Sequence, residues 1–314
     1  MKVIVTGGAG FIGANLGRAL LQEPGITEVV AFDNLSTGFR SNLDGTGIEL
    51  VEDTILNPDA LDRTFAGADA VIHLAARPSV PKSVVDPVAS HHANATGTLE
   101  VLQAARRAGG LHVIVASSSS VYGANRELPK RETMRTVPIS PYAVSKQATE
   151  AYAIAFGHTY RLPTTAFRFF NVYGPLQAPG HAYAAVVPAF LDAALTGRPL
   201  QVHGDGEQTR DFTFVGTLTR IICDAVVNKV TDETPVNLAF GTRTSLNALI
   251  DELSDLLGFR PQVEHVAPRA GDVRDSQADN SRLMTHFPEV SPVALRDGLL
   301  ATIDWFRTLP AYRG

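Results

Sequence analysis

One cysteine, Cys223, stands in 314 residues, so a disulfide within the chain and a cysteine-built metal site are both excluded. Inside the apolar run RIICDAVV it reads as a small buried hydrophobe. No apolar stretch reaches the roughly 20 residues of a membrane-spanning helix, and no charged-then-apolar leader precedes the first strand-like run; a cytoplasmic location without membrane contact is expected. Positive charge is not in excess either. The 27 Lys and Arg against 32 Asp and Glu leave a net charge of -5, which offers nucleic acid no general attraction. An anionic ligand must therefore be held by local groups. Internal repeats, low-complexity tracts and flexible linkers are missing too, and no metal is expected.

What is present is a globule of ordinary composition, with 45% hydrophobic and 19% charged residues. Apolar, β-branched runs recur at 3–5, 29–32, 48–52, 70–76, 112–118 and 164–170. They are near-continuous rather than alternating, as suits strands covered on both faces. Amphipathic stretches at 11–21 and 86–109 lie between them, the second opening on Asp-Pro and closing on Gly. Strand alternating with helix predicts an α/β fold, a Rossmann-type doubly wound parallel sheet. The rhythm loosens after about residue 171, where Pro175, Pro179, Pro188 and Pro199 interrupt it. We expect a dinucleotide-binding domain over 1–170, with later returns near 210–242, and a smaller α/β substrate-binding domain over most of 171–314. A late strand (235–240) and helices at 245–258 and 294–307 complete the pattern.

The opening stretch KVIVTGGAGFIG carries Gly8, Gly10 and Gly13 as G-x-G-x-x-G between a strand and a helix. A dinucleotide pyrophosphate must approach backbone N–H groups at a helix N-terminus, and a side chain there would hold it off. Asp33 ends the next strand, 20 residues beyond Gly13. A carboxylate there accepts ribose hydroxyls and repels a 2'-phosphate, which favours NAD over NADP.

In SPYAVSK, residues 140–146, Ser140 can cap a helix and Pro141 can occupy its first turn, which puts Tyr142 and Lys146 one turn apart on one face. A phenol titrates near about 10 in water; an adjacent ammonium and a positive nicotinamide ring would both favour phenolate. VASSSSVYG (115–123) ends the fifth strand, at the carboxyl edge where ligands of such sheets lie. A hydroxyl there can share the proton of a sugar alcohol or carbonyl.

TGGAGFIG, DNLSTG, HLAA, SSSSVYG, SPYAVSK, RFFNVYGP and GDGEQTRDF together resemble the extended short-chain dehydrogenases/reductases, specifically their UDP-glucose 4-epimerase group. The resemblance runs from residue 2 to about 280. It implies that Ser118, Tyr142 and Lys146 are catalytic. On the NAD side it implies Gly7, Gly10, Phe11, Ile12 and Gly13 around the pyrophosphate. Asp33, Asn34, Ser36, Thr37 and Gly38 would lie toward the adenosine, with Asp53 and Thr54 bordering adenine. Leu74, Ala75 and Ala76 would line the cofactor, and Asn94 and the Phe170 backbone would border nicotinamide. On the sugar-nucleotide side it implies Ser118, Ser119, Ser120, Tyr142, Asn171, Val186, Val187, Gln201 and His203, with Arg210 and Arg269 neutralising the phosphates and Asp272 taking the uridine ribose.

The same resemblance orders the possible reactions. A 4,6-dehydratase would carry Asp and Glu directly after the catalytic hydroxyl, where this chain has Ser119 and Ser120. Neutral hydroxyls bind a hexose but cannot act as that acid-base pair. A 4-epimerase of a UDP-hexose is therefore the expected activity, with UDP-glucuronate 4-epimerase, or another NAD-dependent oxidoreductase or dehydratase of sugar nucleotides, as alternatives. Some glucuronate epimerases carry Arg after G-P; LQAPGHAY has Ala178 there. Ser276 is small where a bulky Tyr in some relatives looks incompatible with a 2-acetamido group, so N-acetylated hexoses are candidates. In V-D-D of the family's R-D-F/Y-x-x-V-D-D this chain has Gly216 and Thr217, and Thr217 is expected to help cap a helix. Helices 86–109 and 142–160 resemble the paired surface of related homodimers.

Overall fold

The computed structural model describes residues 1–179, 185–267 and 274–312. Its strands are β1 (Lys2–Thr6), β2 (Glu28–Phe32), β3 (Glu49–Val51), β4 (Ala70–His73), β5 (His112–Ser118) and β6 (Thr164–Phe169). The later ones are β7 (Val172–Tyr173), β8 (Leu200–His203), β9 (Thr209–Arg210), β10 (Thr213–Phe214), β11 (Val236–Leu238), β12 (Thr244–Ser245) and β13 (Val263–Val266). The first helices are α1 (Phe11–Leu20), α2 (Pro58–Phe65), α3 (Val80–Val85), α4 (Pro87–His91), α5 (Gly97–Arg107) and α6 (Pro141–Tyr160). They are followed by α7 (Val186–Leu195), α8 (Val215–Val227), α9 (Leu246–Leu257), α10 (Ser281–His286) and α11 (Leu295–Thr308).

Seven strands form one parallel sheet in the order β3-β2-β1-β4-β5-β6-β11. The order reverses at β1, which pairs with both β2 and β4, and the crevice for a ligand opens above the carboxyl ends at such a reversal. Alternate residues of the buried strands feed two cores. Val3 and Val5 join Leu16, Leu20, Leu218 and Ile222 on the side of α1 and α8. Ile4 joins Leu61, Leu102 and Phe156 on the side of α2, α5 and α6. A third core gathers Val187, Phe190, Leu200, Phe212, Leu249 and Phe306 beyond the sheet.

Local chemistry explains the elements that carry the site. Ser140 accepts the Ala143 N–H at 3.1 Å and Pro141 starts α6, as its sequence predicts. Asp86 likewise caps α4 through Ala89 N–H at 3.0 Å. The expected helix 86–109 runs to Arg107 but contains a π-helical turn over His92–Thr96. The apolar run 70–76 stops pairing at His73, leaving Leu74, Ala75 and Ala76 as a loop at the carboxyl edge. Regular helices α7 and α8 stand where a looser rhythm was expected. Thr217 does not cap: α8 starts without a side-chain cap, and the Thr217 hydroxyl accepts the Val293 N–H at 3.0 Å. That bond ties the segment before α11 to the sheet side. Among the described residues no helix is long and apolar enough to cross a membrane.

Candidate active site

The turn between β1 and α1 is forced by backbone packing. A Cβ on Gly13 would stand 2.2 Å from the Gly7 carbonyl oxygen, and one on Gly8 would stand 2.6 Å from Ala31 Cβ. Gly7 has a φ of +74°, and a Cβ there would stand 2.7 Å from Ala75 N. Gly10 differs, because its Cβ would meet only the Gly7 carbonyl, at 3.2 Å. That leaves the space over Gly10 clear, beside the N–H groups of Phe11, Ile12 and Gly13 in the first turn of a helix that has no side-chain cap. The cradle fits a pyrophosphate.

Asp33, 8% exposed at the end of β2, accepts the Ala9 N–H at 3.0 Å and the Leu35 N–H at 2.8 Å. Burial raises its carboxyl pKa and the two N–H bonds oppose that rise. Asn34 folds over the next turn by accepting the Ser36 N–H at 3.1 Å. Ser36 and Thr37 are exposed, whereas Gly38 is buried with its α-carbon packed near Ala9. Asp53 accepts the Thr54 N–H at 2.7 Å and the Asn57 side chain at 3.0 Å. Beneath the loop of Leu74, Ala75 and Ala76, His73 bridges Thr6 at 2.7 Å and Thr98 at 3.0 Å. Burial lowers its pKa to about 3, with the Lys146 charge adding to the effect.

The catalytic candidates converge where β5 ends against α6. The Ser118 hydroxyl lies close enough to the Tyr142 phenol to favour its ionised form, and its Oγ accepts the Ser120 N–H at 3.2 Å. Ser119 is half-buried beside it. The Ser120 hydroxyl is buried without a hydrogen-bond partner among the described residues. The Tyr142 N–H donates to Ser83 Oγ at 3.0 Å, which fixes the first turn of α6 on α3. Lys146 is 5% exposed and donates to the Ala116 carbonyl at 2.9 Å. Burial lowers its pKa to about 8.

One electrostatic effect works against the expected phenolate. Burial raises the Tyr142 pKa, and the Ser118 hydroxyl lowers it. The reason is desolvation, which penalises the charged form of the phenol, so the Lys146 charge and a positive nicotinamide ring together must favour ionisation.

Asn94, 1% exposed within the π turn, accepts the Arg77 N–H at 2.7 Å and donates to Ser145 at 2.9 Å. It thereby holds the loop after β4 to α6. Phe170 is fully buried against Tyr122. Sequence reading missed the buried polar network behind these groups, in which Glu150 pairs with Arg168 and Tyr122 donates to Asn237 at 2.6 Å. The one available signal was the spacing of Glu150, a turn beyond Lys146 on α6. Asp211 was missed as well. It is fully buried and accepts the N–H groups of Gly241 and Ala278 and the Thr242 hydroxyl, locking three segments together.

A second cavity, of about 240 Å³, brings together Asn171, Val186, Val187, Gln201, His203 and Arg210, all chosen from sequence. Asn171 adopts a φ of +33° and donates to the Asp211 carbonyl at 3.0 Å. His203 hydrogen-bonds the Ala267 carbonyl at 2.9 Å, so one edge of its ring is already engaged. Arg210 donates to the carbonyls of Thr209 and Arg274 at 2.9 and 3.0 Å, which orients it at the cavity wall. Arg269 and Asp272 lie outside the described residues.

The model of the NAD dependent epimerase/dehydratase family matches residues 3–239. The chain is 36% identical to the UDP-glucose 4-epimerase of Mycolicibacterium smegmatis, over 98% of this chain and 99% of the relative. It superposes with a TM-score of 0.92 on a UDP-glucose 4-epimerase from Thermotoga maritima with UDP-glucose, at 34% identity over 98% of this chain and 99% of the other. A UDP-N-acetylglucosamine 4-epimerase from Methanobrevibacter ruminantium, in complex with UDP-N-acetylmuramic acid, gives 0.92 at 34% identity over 98% of each chain.

Proposed function

Because this chain belongs to the NAD dependent epimerase/dehydratase family, we propose that it interconverts the C4 epimers of a UDP-hexose, UDP-glucose and UDP-galactose first and their N-acetyl forms as further substrates. NAD, when bound, supplies a hydride acceptor that later returns the hydride to the sugar. The chain's own residues supply the rest. Gly10 and the first amides of α1 receive the pyrophosphate, and the Asp33 carboxylate takes adenosine ribose hydroxyls. Tyr142 holds and moves the proton of the sugar 4-hydroxyl, Ser118 shares that hydrogen bond, and Lys146 lends positive charge and ribose contacts.

The observation that carries this reading is the meeting of Ser118 and Tyr142 at the end of β5, with Lys146 one turn along α6. The cavity bearing Arg210 suits a sugar diphosphate in a protein of net negative charge. Ser119 and Ser120 speak against a dehydratase, and Ala178 speaks against a carboxylate clamp for glucuronate. We take the third core as the interior of the substrate-binding part. We also place a homodimer contact over α4 and α6, where Val88 and Val144 are 64% and 52% exposed; light scattering showing a monomer would remove that contact.

The experiment is a panel of UDP- and dTDP-hexoses, including glucuronate and N-acetyl forms, followed by separation of the epimers. Epimerised UDP-glucose or UDP-galactose without net NADH production is expected. Conversion of UDP-glucuronate alone, or release of a 4-keto product, would replace this reading with one of its alternatives.

A further inference from the structure

Glu150 and Arg168 form a charged pair directly behind the catalytic candidates. Both are buried, at 4% and 3% exposure. Glu150 follows Lys146 by one helical turn, as Lys146 follows Tyr142, so all three lie on one face of α6. Arg168 reaches over from β6 as a fork, its Nε 3.0 Å from Glu150 Oε2 and its Nη2 2.7 Å from Oε1. Ser117, the neighbour of Ser118, donates to the same Oε2 at 2.8 Å, and its hydroxyl lies 3.4 Å from the Lys146 carbonyl. The guanidinium also stacks on the Tyr122 ring, 4.8 Å from its centre. The carboxylate is thus fully engaged.

Lys146 makes a different contact. Its ammonium donates to a carbonyl, that of Ala116, and among the described residues its other two donors are left for a ligand. The charged and titratable groups around it are few. Tyr142 and Glu150 share its helix, His73 approaches from β4, Arg168 comes from β6, and the turn after β5 brings Tyr122. Of the helices packed on α6, α3 brings Lys82, α4 and the π turn bring the exposed His91 and His92, and α5 brings Glu100, Arg106 and Arg107. Glu150 is the carboxylate buried with Lys146 on the same helical face. Without the fork it would be a buried, uncompensated anion one turn from a buried cation, a placement that strongly favours pairing of the two.

We propose that Arg168 is a positioning residue that holds Glu150 away from Lys146, so that the lysine's charge stays available to Tyr142 and the cofactor ribose. This rests on the roles of Tyr142 and Lys146 proposed above. Arg168 touches neither substrate nor cofactor in this scheme. It acts by occupying the buried acid one turn along α6 from the lysine.

The test compares Arg168→Met, which leaves the carboxylate unpaired, with Glu150→Gln/Arg168→Met, which removes both charges, and with Glu150→Gln. Tyr142 ionisation is read in the NAD-loaded proteins from the phenolate ultraviolet band, each against the same background carrying Tyr142→Phe. Arg168→Met is expected to move that ionisation up by about one pH unit and to lower turnover by about ten-fold or more. The double variant is expected to return the ionisation to its original pH. Equal shifts in the single and double variants would mean a purely structural pair and overturn the proposal, as would no shift in Arg168→Met. Should Arg168→Met fail to fold, Glu150→Gln decides: its ionisation is expected to stay in place or fall, and a rise overturns the proposal. The titration needs no substrate, so a wrong sugar assignment leaves it readable, whereas an unaltered protein with no Tyr142 ionisation to follow would strike the catalytic reading itself.

Discussion

The Asp33 carboxylate accepts the Ala9 N–H at 3.0 Å, which joins the end of β2 to the glycine turn ahead of α1. One side chain thereby shapes the turn and, in the proposed role, would accept the hydroxyls of the adenosine ribose. Asp33→Ala is expected to weaken NAD binding by about ten- to a hundred-fold, the scale of a hydrogen bond to a charged group, and to narrow the preference for NAD over NADP. Titration calorimetry with both dinucleotides checks this.

The glycines of the first turn separate by neighbour. Gly13→Ala would press a methyl to 2.2 Å from the Gly7 oxygen, so a lower melting temperature is expected, with a loss of roughly 2 kcal/mol or more. Gly10→Ala has only a 3.2 Å contact to relieve. It is expected to fold with a near-normal melting temperature and to bind NAD poorly. Thermal melts with and without NAD distinguish the two, and a Gly10→Ala protein with unchanged NAD affinity would contradict the cradle.

Tyr142→Phe keeps the ring in its half-buried position and removes the hydroxyl beside Ser118. Turnover of UDP-galactose is expected to fall by about two to four orders of magnitude while NAD stays bound. Steady-state rates together with the cofactor content of the purified variant test it.

His73 sets a pH dependence of stability. Its folded pKa, near 3, lies below the ordinary 6.5, so the unfolded chain binds the proton more readily than the folded one. The stabilisation from keeping this ring neutral is complete above pH 6.5 and is lost as pH falls toward 3. Within that window His73 is expected to contribute a slope of about 1.4 kcal/mol per pH unit. His73→Gln should flatten the dependence, as read from urea midpoints at several pH values; an unchanged slope would show that other groups carry it.

Much of this protein could be read from residue order because the signals are local. Apolar runs covered on both faces, the glycine turn, Asp33 at a strand end and the Ser140-Pro141 start of α6 each act within a few residues, where backbone sterics and capping decide the outcome. The cavity was partly legible, since residues from 171, 186–187 and 201–210 could be chosen through resemblance. Their convergence depends on contacts made across the fold. Tertiary structure alone decided two things: the burial of Asp211 where three segments meet, and the capture of Glu150 by Arg168. It also decided the sign of the Tyr142 shift. Sequence names the lysine one turn away, but the free energy of an ionised phenol depends on how much water the surrounding chain removes, and that is a property of packing in three dimensions.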